Sequence, residues 1–175
     1  ADPSKNAANC TSYNYGSTIA TAPDLCWVRR PNTKVGVGLN LEQAITKDVG
    51  VFFRGMFSDG RTEVYSFTST DRSLSIGATV KETPWRRPRD LAGTGFGVGW
   101  ISDAHAAYLA AGGVDGFIGD GAIHAAAESV FELFYRFQVV GSFSMSADYQ
   151  HITNPAFNSD RGPVDVFGVR AHVEF

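Results

Sequence analysis

The chain has 175 residues, of which 43% are hydrophobic, 13% aromatic and only 19% charged, and its formal net charge is −3. This length predicts one domain, and the aromatic content excludes a disordered chain, which is poor in aromatic residues and rich in charge. The 19 glycines follow no three-residue repeat, which excludes collagen, and the acidic balance speaks against a nucleic-acid partner, whose binding surface is usually basic.

Residues 1–32 show no hydrophobic periodicity and are interpreted as a loop or arm. Cys10 and Cys26 lie in this polar segment, and no histidine or third cysteine is near enough to complete a zinc site. We therefore predict a disulfide between them, which would place the chain in an oxidising compartment. Two unpaired thiols in a loop are the alternative.

The first half of the remaining chain alternates between apolar and polar or small residues. Residues 34–42 follow this period of two, which is typical of a β-strand. A short turn at 45–48 separates them from a second strand at 51–57. A turn at 58–61 then leads into residues 62–80, which hold β-forming residues and end in a clear alternation.

The second half repeats this pattern around one long loop. A break at 83–91, which contains two prolines, precedes a fourth strand at 95–100. Residues 103–125 are rich in Ala, Gly and Asp and predict a long loop with a short helix at 103–111. Three roles are open for this loop: it narrows a channel, covers the mouth of the barrel, or is a mobile surface loop. Three more strands follow, at 131–139, 143–150 and 167–175. Together the strands predict an antiparallel meander.

One face of every predicted strand is apolar, and aromatic residues cluster near the strand ends. Outer-membrane barrels have such alternating strands, turn their apolar face to lipid and carry aromatic girdles at the membrane interfaces. A soluble barrel with its apolar face inside alternates in the same way and remains the alternative. The expected fold is therefore all-β, an antiparallel transmembrane β-barrel with its strands in residues 33–175. The chain would hold seven strands, or eight if residues 1–32 contain one more.

The opposite face carries charged and hydrogen-bonding side chains. The predicted channel lining consists of Asn40, Glu42, Arg54, Glu132, Arg136, Gln138, Asp148, Gln150, Arg170, His172 and Glu174. Rings of charged side chains set the selectivity of pores. Opposite charges also pair across strands in ordinary sheets, for about 0.2–1 kcal/mol each, so cross-strand pairing is the alternative role.

Enzyme motifs are absent from the sequence. It contains no G-x-S-x-G, H-E-x-x-H or P-loop motif, so we predict no catalytic residue, no cofactor and no enzymatic activity. No two of the four histidines have the spacing of metal ligands, and no metal site is expected. His124, near Asp120 and Glu128, is the one candidate, with a solvated loop as the alternative.

A series of short motifs occurs in order along the chain: GLNLEQ at 38–43, DVGVF at 48–52, DGRTE at 59–63, DRSLS at 71–75, DYQHI at 148–152, NPA at 154–156, DRGPV at 160–164 and FGVRAH at 167–172. These motifs resemble the carbohydrate-selective porins of the OprB type. The resemblance covers about residues 33–175 and leaves out the first 32.

This resemblance implies a passive channel in the outer membrane of a Gram-negative bacterium that passes sugars, other small polar solutes and ions. Its partners would be outer-membrane lipid and the solutes, with no nucleic acid. The family's barrel has 16 strands, so this chain resembles only the C-terminal part, and further strands from the first 32 residues or from other chains would complete it. Phe175 resembles the terminal aromatic signal that the barrel-assembly machinery recognises.

Three functions are compatible with these observations. The first is a porin, or a porin segment, for carbohydrates and other small polar solutes. The second is a structural or interaction subunit of an outer-membrane barrel that does not conduct. The third is a soluble ligand-binding β-barrel. A requirement for detergent would separate the third function from the first two. Channel conductance would separate the first function from the second.

Overall fold

The computed structural model describes residues 31–62, 69–82, 86–115, 118–119 and 123–174. Within these residues, seven antiparallel strands form one sheet in the order of the sequence. The strands are β1 (Gly36–Ala44), β2 (Val49–Ser58), β3 (Arg72–Glu82), β4 (Arg87–Trp100), β5 (Glu128–Val140), β6 (Phe143–Thr153) and β7 (Val164–Val173). Helix α1 (Asp103–Ala110) follows β4, and a short 3₁₀ turn (Pro155–Phe157) precedes β7. No helix among the described residues is long and apolar enough to cross a membrane.

The predicted meander and the short helix are confirmed, but β4 begins earlier than predicted. The break predicted at 83–91 ends before Arg87, where β4 starts. The pairing shifts from Lys81 opposite Leu91 to Glu82 opposite Arg87, so Pro88 lies in a bulge. Proline has no backbone N–H to donate, and a bulge is one of the few places where a strand tolerates it.

The start of β3 also differs from the prediction. Residues 62–80 were expected to follow a short turn directly, whereas β3 begins at Arg72. The connection therefore runs from 59 to 71, and residues 63–68 lie outside the described part of the chain. The Ser58 amide donates to the Asp71 carbonyl at 2.8 Å and closes this connection.

The cross-strand register collects the apolar side chains on one face of the sheet. This apolar face includes Val37, Leu39, Phe53, Ile76, Phe96, Phe131, Leu133, Phe137, Val169 and Val173. Nearly all of these side chains are exposed, and no described segment covers them. Uncovered leucine, isoleucine and phenylalanine side chains in six of the seven strands fit a surface that faces lipid, as in outer-membrane barrels.

The buried apolar residues lie outside the sheet. Among the described residues, Leu109 of helix α1, Ile118 and Phe157 form the one buried hydrophobic cluster. This small core joins the helix to the connection that precedes β7. The sheet itself is held by its backbone hydrogen bonds rather than by a core on either face, which is how a membrane-spanning wall is stabilised.

Five glycines form a lane on the polar face of β3 and β4, the face opposite the apolar one. The glycine lane consists of Gly77, Gly93, Gly95, Gly97 and Gly99. A Cβ atom at Gly77 would lie 2.6 Å from the Thr94 carbonyl oxygen and would collide with the Phe52 ring. Since the backbone oxygen cannot move without breaking the ladder, this position accepts no side chain.

Replacing Gly77 with alanine is therefore expected to destabilise the sheet, by about 1–3 kcal/mol for an overpacked site. Gly97→Ala is the matched control, because its Cβ would lie 3.6 Å from Ser75, an ordinary contact. The temperature at which the folded band disappears in gel electrophoresis measures the effect. Equal melting of the two variants would show that the lane is not tightly packed.

Candidate functional site

Ten of the eleven predicted lining residues lie in strands, and all ten share the polar face. On this face Asn40 pairs with Arg54, Glu132 with Gln150, and Ser146 with both Arg136 and Arg170. Glu174 lies just past the end of β7. The alternation of the sequence was therefore sufficient to place these side chains on one surface.

Five of the predicted residues meet at one cavity on strands β5 to β7. This first cavity has a volume of about 420 Å³, and its walls are Leu91, Glu132, Phe134, Arg136, Ser146, Asp148, Gln150, Gly168, Val169 and Arg170. The Glu132 carboxyl group interacts with both the Asp148 carboxyl group and the Arg170 guanidinium group. Both donors and acceptors of hydrogen bonds therefore face one space.

A second cavity, of about 350 Å³, lies at strands β1 to β3, and its walls include Glu42, Gly50, Phe52 and Thr79. The adjacent Arg54 donates from Nη2 to Glu42 Oε1 at 2.8 Å. Its guanidinium carbon also lies 5.1 Å from the centroid of the Phe52 ring. More than half of each charged side chain is exposed, so this ion pair orients the arginine and contributes at most about 1 kcal/mol.

The Arg54 side chain has a further partner on β1, because Nε donates to Asn40 Oδ1 at 3.0 Å. The three predicted residues of β1 and β2 thus form one hydrogen-bonded group beside the second cavity. Both nitrogens that Arg54 uses here point toward β1. Among the described residues, Asn40 and Glu42 are the hydrogen-bond partners of the guanidinium group.

Three predicted residues lie away from both cavities. The Gln138 side-chain amide donates to the carbonyls of Gly141 (2.6 Å) and Phe143 (3.1 Å), so it closes the turn between β5 and β6. His172 Nε2 lies 3.3 Å from Glu174 Oε1 on the last strand. Their role in the lining stays a prediction.

The two cysteines and the terminal phenylalanine lie outside the described residues. The disulfide between Cys10 and Cys26 and the assembly signal at Phe175 therefore stay predictions, as does an eighth strand within residues 1–32.

A buried polar cluster lies next to the start of β3 and was not predicted from the sequence. His105 Nδ1 lies 3.0 Å from Asp71 Oδ2, and His105 Nε2 lies 3.0 Å from Asp115 Oδ2. Lys34 Nζ lies 3.6 Å from Asp71 Oδ1. The histidine and both carboxylates are buried, so this cluster fixes the long loop to the end of the sheet.

Helix α1 begins at this cluster. The Ser102 hydroxyl accepts a hydrogen bond from the His105 amide at 3.1 Å and donates to the Gly60 carbonyl at 2.8 Å. The Ser102 amide donates to Asp71 Oδ2 at 2.8 Å. Serine is a favoured N-cap, and here the cap also joins the helix to both ends of the connection between β2 and β3.

The charges of the cluster stabilise one another. Burial alone would lower the pKa of His105, but its hydrogen bonds to Asp115 and Asp71 outweigh burial and raise that pKa. Burial alone would raise the pKa of Asp71, but the Ser102 amide and His105 hold it below its usual value. The anchor thus holds the histidine between two carboxylates, with one ring nitrogen 3.0 Å from each.

His124 pairs with Asp160 rather than with Glu128. Its Nδ1 lies 2.6 Å from Asp160 Oδ2 in an exposed pair. The Glu128 carboxylate accepts a hydrogen bond from the Ala156 amide at 2.7 Å, and Asp120 lies outside the described residues. The described residues hold no group of three or more side chains suited to a metal ion.

Comparison with known proteins agrees with this architecture. The family model for carbohydrate-selective porins of the OprB family matches residues 4–175. The chain belongs to this OprB family. The match begins near the start of the sequence, so the relationship extends into the segment that the motifs had left out. The OprB family consists of channels of the bacterial outer membrane, which is where the chain is located, and the soluble barrel is therefore no longer a candidate.

A solved structure of Pseudomonas putida OprB shares the fold, with a TM-score of 0.52 and 20% sequence identity. The alignment covers 70% of this chain but only 29% of that chain. The aligned part therefore spans less than a third of that chain's length. No curated protein matches the sequence.

Proposed function

We propose that this chain forms one wall of an outer-membrane channel through which carbohydrates and other small polar solutes diffuse. The observation that carries the proposal is the two-sided sheet, which separates an uncovered apolar face from a polar face with two cavities. A wall of this kind needs lipid on one side and water on the other. The role is that of a channel rather than an enzyme.

Completion of the barrel requires further strands. Among the described residues, β1 and β7 each have one neighbour, so the sheet has two open edges. Single-chain bacterial barrels have even strand numbers, and a barrel of eight strands has an interior that side chains fill. We therefore infer that more strands, from the rest of this protein or from other chains, pair with β1 and β7 and widen the lumen.

The lining offers solutes both kinds of hydrogen-bonding partner. Arginine side chains such as Arg54, Arg136 and Arg170 only donate, and ionised carboxylates such as Glu132 only accept. A sugar hydroxyl does both, so it can exchange its water partners for these groups while it moves along the wall. In this proposal the field between positive and negative side chains sets the ion preference of the channel.

Because the sheet has open edges, a non-conducting subunit of a larger outer-membrane barrel is a second candidate function. Planar bilayers that contain the whole natural protein with this chain separate the two. A channel predicts stepwise ion conductance that addition of glucose or maltose reduces. A heat-unfolded sample of the same protein is the control. Well-folded protein that inserts but never conducts would contradict the channel and favour the structural subunit.

A further inference from the structure

Two aromatic side chains lie on the polar face, Phe52 of β2 and Phe134 of β5, and both are half-buried. Each ring occupies the room that a glycine leaves. A Cβ at Gly77 would collide with the Phe52 ring, and a Cβ at Gly93 would collide with the Phe134 ring. The rings therefore lie close to the backbone on either side of the glycine lane, and each forms a wall of one of the two cavities.

Phe134 has the richer surroundings of the two. Its cavity also holds two arginines, two carboxylates and one amide, which were described above. The volume of about 420 Å³ lies in the usual range of small-molecule sites, about 300–1,000 Å³. An apolar wall beside a few convergent polar groups is the usual composition of such sites.

This composition fits a pyranose ring. A pyranose has C–H groups on its faces and hydroxyl groups around its edge, so an aromatic wall and hydrogen-bonding neighbours match different parts of it. The arginines of the cavity offer donors and its carboxyl groups offer acceptors to the hydroxyl groups around the edge of such a ring.

We propose that Phe134 is the residue of this cavity against which a pyranose sugar packs the C–H face of its ring. The inference rests on the proposed function and adds the residue that holds the sugar. Phe134 is thus a specificity-determining residue, and the charged groups around it bind the hydroxyls.

Block of ion current through the whole natural protein, with glucose as the probe, tests the proposal. Phe134→Leu keeps an apolar side chain but removes the ring, and it is expected to weaken glucose binding about three- to tenfold. Phe134→Tyr keeps the ring and should bind glucose as the original does. Phe131→Leu is the matched control, because it makes the same change on the apolar face of the same strand.

The proposal is overturned if Phe134→Leu and Phe131→Leu bind glucose equally well. An original protein that folds but never conducts contradicts the proposed function instead. In that case saturation-transfer NMR with glucose on the detergent-solubilised protein decides the binding site separately. A transfer signal that Phe134→Leu loses and Phe131→Leu keeps would support the site, and no signal in the original would refute it.

Discussion

Replacing both Arg136 and Arg170 with alanine is expected to shift the channel strongly toward cations and to weaken the block of its current by sugars. The change removes both positive charges from the first cavity and leaves Glu132 and Asp148 unopposed. In water, one unit charge at about 4 Å changes the energy of an ion by about 1 kcal/mol. Because two positive charges are lost, and their loss favours cations and disfavours anions, the ratio of cation to anion permeability should rise about tenfold or more. The reversal potential in a potassium chloride gradient measures this ratio.

The double variant Arg136→Lys with Arg170→Lys separates charge from shape. Lysine keeps the positive charge but loses the planar fork of donors that arginine offers. We expect the ion preference to stay near the original while sugar block weakens. An alanine double variant with unchanged reversal potential and unchanged block would remove both arginines from the selectivity mechanism and leave them as cross-strand partners.

Replacing Asp71 with alanine is expected to release helix α1 from the sheet. The change leaves a charged His105 and Lys34 without the carboxylate that they share, and breaking a buried ion pair in this way costs about 3–5 kcal/mol. Limited proteolysis of residues 102–115 measures the release. Asp160→Ala is the matched control, because it breaks the exposed pair with His124, which contributes at most about 1 kcal/mol.

The same cluster predicts the pH dependence of this anchor. His105 has a raised pKa, so its contribution is complete below about 6.5 and is lost as the pH rises through the raised value. Asp71 has a lowered pKa, so its contribution is complete above about 3.8 and is lost as the pH falls through the lowered value. Proteolysis of the loop should therefore be slowest between these limits. Rates that follow only the protease's own pH profile, in the original and in Asp71→Asn alike, would contradict the ionised anchor.

Local alternation made most of the sheet predictable. Each strand between 34 and 173 has a period of two, and this period alone decides which side chains share a face. The start of β4 was predicted too late because a proline normally ends a strand, and only the cross-strand pairing reveals the bulge that accommodates Pro88.

The buried anchor was unpredictable for a different reason. Asp71, His105 and Asp115 belong to three separate segments, and no spacing rule joins residues that far apart. The roles of Phe52 and Phe134 likewise depend on the glycines of neighbouring strands, which become visible only when the register is known. A phenylalanine on an otherwise polar face is the one signal in the sequence that would have indicated them.

The orientation of the sheet is the central claim, and spin-label accessibility in lipid vesicles tests it most directly. Adjacent positions on two strands are labelled through introduced cysteines in the whole natural protein, with Cys10 and Cys26 replaced by serine: Ser75 and Ile76 on β3, and Ser146 and Ala147 on β6. Labels at Ile76 and Ala147, on the apolar face, should be relaxed mainly by oxygen, which concentrates in lipid. Labels at Ser75 and Ser146 should be relaxed mainly by a water-soluble nickel complex. The reverse pattern, or four labels that are all accessible only from water, would contradict a wall between lipid and an aqueous channel.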